Sequence, residues 1–180
     1  GASSLNRDSP LGAVAHLKEA YGKQRAFVVG VGSLPKASLA ALPPRAVVLI
    51  LNVHEEISLW RNRAEAHALR LAPARKARLE RALSVDDAQM AQMGAWLCSD
   101  AFDLASLHAK LATGPLSSAL CWELWTGHID KLQSLEDGML REHYEDASAS
   151  EQMRRTMTHL GSVGATLALA MALAAGALSP

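Results

Sequence analysis

Asp100 and His128 are the two side chains best spaced to do chemistry together. Each interrupts an apolar heptad seam, and each lies fourteen residues from Gly114. The seam before the turn runs Met90, Met93, Leu97, Asp100, Leu104, Leu107, Leu111; the one after it runs Cys121, Trp125, His128, Leu132, Leu135, Met139. Folding the two segments back as antiparallel helices about Thr113-Gly114-Pro115 sets the carboxylate against the imidazole. A protonated imidazole in reach would hold that carboxylate charged among apolar neighbours, and the same attraction would raise the histidine pKa against the effect of burial. The pair is then either a pH-sensitive latch or, as the default, a buried polar pair that fixes helix register at some cost in stability.

No other constellation reaches that standard. Glu136 and His143 are seven apart on one helical face, but a bundle metal site wants Glu-x-x-His on two helices with further Glu from the others, and that motif is missing. There is no Gly-x-Ser-x-Gly turn, no His-Glu-x-x-His and no Walker loop. The chain therefore reads as a non-enzyme with no metal and no cofactor. One alternative is a small nucleotide-binding enzyme using the Gly30-Val31-Gly32-Ser33-Leu34-Pro35 turn. Proline stands there where the third glycine of a dinucleotide fingerprint belongs.

Net charge is zero, but its distribution is uneven: residues 61–81 carry seven basic and two acidic side chains, residues 84–151 twelve acidic and three basic. The simplest expectation is that these surfaces complement each other or are solvated. The other is that Arg61, Arg63, Arg70, Arg75, Lys76, Arg78 and Arg81, with Trp96 and Trp122 beside the seams, contact a protein partner or an anionic surface. The basic stretch lacks the interleaved aromatics of a single-strand platform, which disfavours nucleic acid. Cys98 and Cys121 define neither a disulfide framework nor a zinc site.

Punctuation predicts the elements. Ser9-Pro10 opens a helix over residues 10–31, and Pro43-Pro44 opens one reaching residue 72. A short basic helix spans 73–83. Ser84 with Asp87 caps a helix to 112, Pro115 starts another to about 147, and Ser148 with Glu151 caps the last to 178. The expected fold is all-α, an up-and-down bundle of four long helices plus an N-terminal helix. The alternative is α+β: the apolar runs at 26–32 and 46–53 suit a small two-stranded element as well as helices.

Residues 160–178 carry no charge and follow Arg154, Arg155 and His159. That meets the length rule for a membrane span with basic residues at one end. Yet ten of the nineteen are Ala or Gly, and Gly164, Ala168, Ala172 and Gly176 form a small-residue stripe suited to close helix packing. A soluble core is the first expectation, a membrane-associating or tail-anchored helix the second. Residues 1–9 are expected to be a disordered or tag-derived N-terminus and 10–180 a single helical-bundle domain, cytoplasmic or secreted without a classical signal peptide. Arg outnumbers Lys twelve to six, and Ala plus Leu supply 61 residues against three Ile, a usage typical of a high-GC bacterial genome. The function this suggests is a bacterial adaptor, regulator or secreted effector module working through protein–protein contacts.

Overall fold

A heptad repeat that spans the whole first helix organises the fold. The computed structural model describes residues 9–43, 45–85, 88–97, 99, 102–113 and 117–177, with the backbone alone for 159–177. Among them every regular element is a helix. Helix α1, Pro10–Ser33, begins where the Ser9 hydroxyl accepts the Gly12 N–H at 3.0 Å, with proline in its first turn. Val14, Leu17, Tyr21, Gln24, Val28 and Val31 recur at alternating spacings of three and four and are buried. Each of the large aliphatic ones contributes roughly 1.5–3 kcal/mol on leaving water. Pro35 stops the helix by forcing Leu34 into extended backbone.

Helix α2, Lys36–Leu39, is a single turn; α3, Arg45–Ala68, follows. The inward side of α3, Ile50, Val53, Ile57, Ala64 and Ala68, lies along α1, which is the principal helix pair of the molecule. The two apolar runs at 26–32 and 46–53 therefore meet as helices, and the α+β alternative is overturned. Val28 and Val31 belong to a repeat of period 3.5 that starts well before them, which a strand of alternating period could not bury.

Helix α4, Pro73–Leu83, uses proline in its first turn and packs on α3. The Arg61 guanidinium donates to the Leu83 carbonyl at 2.9 Å, satisfying one of the carbonyls left open at a helix C-terminus. Residues 84–112 are not one helix but α5, Ala88–Leu97, and α6, Leu104–Thr113. Ser99 bonds back to the Trp96 carbonyl through both its N–H and its hydroxyl, and Asp103 caps α6 by accepting the Ser106 N–H at 2.8 Å. Such local side-chain bonds compete with helix continuation.

The opposite correction applies downstream, where two expected helices are one: α7, Ser118–Ala177, capped by the Ser117 hydroxyl on the Leu120 N–H at 3.1 Å. The Ser148/Glu151 capping box does not form. Ser148 donates to the Glu145 carbonyl one turn back, and Glu151 is taken by Arg154 and Arg155. Of the four long helices of the expectation, one is thus divided into α5 and α6 and two are joined as α7, while α3 and the expected N-terminal helix α1 stand much as read.

The chain divides into two compact units, residues 1–138 and 139–180. In the first, α6 packs on α1 and α2, and Leu111 of α6 and Ser118 of α7 approach the end of α1 at Gly32. A Cβ at Gly32 would collide with the Ser118 hydroxyl and stand 2.9 Å from Leu111 Cδ1, so a side chain here would displace both neighbours. Gly30 and Gly32 lie within helix, without a positive φ, and the nucleotide-binding reading of the 30–35 turn has no phosphate-cradling loop on which to rest.

Candidate partner-binding surfaces

The first half of α7 runs antiparallel to α1, and polar contacts join them along the pair. Lys18 donates to Gln133 Oε1 at 2.6 Å and pairs with the Glu136 carboxylate. One turn on, the Tyr21 ring meets His128 edge-on with centroids 4.6 Å apart. Next, the Trp125 indole donates to Gln24 Oε1 at 2.9 Å, both side chains being buried. Last, Arg25 donates to Thr126 Oγ1 at 2.8 Å and lies 4.1 Å over the Trp122 ring. Burial raises the Tyr21 phenol above its ordinary value, with the Arg61 guanidinium pulling the other way.

The α7 seam read from sequence is present at Cys121, Trp125, His128 and Leu132, all buried, and His128 has α1 beside it. Asp100 lies outside the described residues, so its expected approach to His128 does too. Missed from sequence was Gln24, whose heptad spacing after Tyr21 was the available signal. Burial pushes the Cys121 thiol up, which suits packing and opposes nucleophilic use.

The basic residues are largely engaged at home. Arg61 bonds Glu65 and the α4 terminus, Lys76 pairs with Glu80 at 3.7 Å, and Arg63 lies 4.7 Å over the Trp60 ring. Arg75 and Arg78 each have an interaction partner, while Arg70 and Arg81 are exposed. Trp96 is half-buried, edge-on to Phe102 and beneath Lys110 Nζ at 5.0 Å. Trp122 remains nearly half exposed beside Arg25.

What the structure does bring together is apolar. Val48 and Leu51 lie within one turn on the side of α3 away from α1, Leu59 continues that side beyond Glu55, and Leu49 is exposed on the flank. All four are 41–56 % exposed. This patch was not legible as a surface, because the run from Val47 to Val53 is apolar on nearly every side of the helix. The contrast between an inner and an outer face is absent there.

In the second unit, Arg154 makes a bidentate pair with Glu151, Oε distances of 2.8 and 2.9 Å, and Arg155 joins it at 2.9 Å. Both arginines hold the Glu151 carboxyl below the usual range. The side chains of Gly164, Ala168, Ala172 and Gly176 lie outside the described residues. Among the described residues no helix is long and apolar enough to cross a membrane, and no three His, Cys, Asp or Glu gather as a metal site. Compared with known protein families, curated proteins and solved structures, the chain matches none.

Proposed function

We propose that this protein is a non-enzymatic helical module, a bacterial adaptor, regulator or secreted effector, that binds another protein through the outward face of α3. The observation that carries the reading is the exposure of Val48, Leu51 and Leu59 on one side of a helix, with Leu49 exposed on its flank, while Ile50, Val53 and Ile57 bury the opposite side. Scattered apolar residues on a surface mean little, but a cluster of large aliphatic ones rimmed by charge is the usual form of a partner site. Arg45 bounds it at one end of α3, and the exposed Glu55 stands between Leu51 and Leu59. Such a face accepts an amphipathic helix or apolar peptide without any rearrangement of the α1–α3 pair.

A photoreactive residue at Leu59 tests this in a native bacterial extract. The expected result is a discrete protein adduct that disappears when Val48→Gln and Leu51→Glu are added, while the melting midpoint stays within about 0.5 kcal/mol of stability of the parent. The same probe at Lys131, exposed on α7, should capture nothing in common with it. Identical adducts from both sites, adducts only with lipid, or an adduct insensitive to the α3 changes would overturn the proposal.

A further inference from the structure

The stretch of α7 from His143 to Thr158 is helical but has almost no cover. Every side chain in it is exposed except Glu151, which is half-buried, and Tyr144, Met153 and Met157 are 65–70 % exposed. Local forces do not explain this helix. Asp146, Ser148, Ser150, Thr156 and Thr158 are weak helix formers. The Ser148, Thr156 and Thr158 hydroxyls bond back to carbonyls three or four residues earlier, which does nothing for helix stability. The Glu151–Arg154–Arg155 cluster pairs a half-buried glutamate with two largely exposed arginines, solvent-screened ion pairing that is worth little. A helix without strong propensity or a dense ion-pair ladder needs a packed face.

One face has the spacing for it. Met139, His143, Asp146, Ser150, Met153 and Met157 alternate by four and three, a coiled-coil seam with flexible methionines toward one end and a small residue at the middle. We propose that this segment pairs with the same segment of a second copy of the chain, antiparallel, about a two-fold axis near Ser150. Charge chooses the occupant and its direction. Parallel pairing would set Asp146 against Asp146 of the second copy inside the seam, and like charges there are repulsive. Antiparallel pairing brings Asp146 level with Arg154 of the second copy and Met157 level with His143, so acid meets base and thioether meets an aromatic ring. The small Ser150 lets the two backbones cross closely at the axis. A self-complementary patch of this kind is what a two-fold interface demands.

Sedimentation analysis of the purified chain over micromolar to millimolar concentration is the test, combined with cysteine pairing. Expected are a reversible monomer–dimer equilibrium, its weakening by more than about tenfold when Met153→Lys and Met157→Lys are combined, and recovery of dimer in Asp146→Arg with Arg154→Asp. Ser150→Cys should form a disulfide-linked dimer on mild oxidation beyond what the parent forms, while Met157→Cys should not, because the two-fold sets those positions far apart along the pair. A chain monomeric throughout, a dimer indifferent to the methionine changes, or Met157→Cys pairing as readily as Ser150→Cys would each overturn the proposal. Circular dichroism of the lysine variant at low concentration separates loss of dimer from loss of helix.

Discussion

Replacing Gln24 by leucine changes little volume in the α1–α7 seam but removes the acceptor for the Trp125 indole. The indole N–H is then buried with nothing to receive it, since Trp125 is fully buried and Gln24 nearly so. Stranding a buried neutral donor costs about 1–3 kcal/mol, whereas the intact hydrogen bond contributes a net of only about 1 kcal/mol. Gln24→Leu should therefore lower stability by about 1–3 kcal/mol, a loss of roughly 2–12 °C in melting midpoint at this chain length. Trp125→Phe alone should also destabilise, through a stranded amide oxygen and a small cavity. The double variant removes donor and acceptor together, so its cost should fall short of the sum by about 1–2 kcal/mol. Urea unfolding followed by circular dichroism on all four proteins gives the coupling directly. Strict additivity would show that the 2.9 Å contact carries no energy and that the seam is held by shape alone.

Gly30 and Gly32 form a matched pair: a Cβ at Gly30 meets nothing within 4 Å, while one at Gly32 meets Ser118 and Leu111. Gly30→Ala should stabilise by about 0.5–1 kcal/mol, and Gly32→Ala should fall below it by about 1–3 kcal/mol, as read by thermal unfolding; equal midpoints would refute the close approach. Burial holds the Cys121 thiol above its ordinary 9.0 and the Tyr21 phenol above 10.0, so in alkali the unfolded chain loses these protons first. Their contribution is complete below those values and declines as pH rises through the folded-state values. Stability measured from pH 8 upward should fall, with a flatter alkaline limb in Cys121→Ala and in Tyr21→Phe, and unchanged slopes would contradict the sign.

Helix starts were legible wherever a residue type dictates geometry: Ser9-Pro10 and Pro73 mark α1 and α4 because proline costs nothing in a first turn. The α7 seam was legible because Cys121, Trp125, His128 and Leu132 stand out against charged neighbours. The break between α5 and α6 was not, since Ser99 and Asp103 act through hydrogen bonds whose competition with a helix depends on what surrounds them. Ser148 and Glu151 show the converse, a capping signature silenced because two arginines one turn on claim the glutamate. The contribution of α1 to the α7 seam was not legible either. Mirror symmetry about Gly114 pointed to the preceding segment, whereas the contacts with α1 come from Lys18, Tyr21, Gln24 and Arg25, whose polar character hid their place in a core.

That α1–α7 seam writes its alignment in four different chemistries: an ammonium on a carboxylate, an aromatic edge on a face, an indole on an amide, and a guanidinium on a hydroxyl. Sliding α7 by one heptad in either direction would set Gln24 against Leu132 or Ser118, and Lys18 against His143 or Ile129, matching none of them. The evolutionary consequence is that substitutions along this seam are tolerated in couples rather than singly: 18 with 136, 21 with 128, 24 with 125, 25 with 126. Lineages descended from a common ancestor of this chain would then carry their history there as paired exchanges, while Leu17 and Val28, buried aliphatic residues of α1, drift among aliphatic residues one at a time.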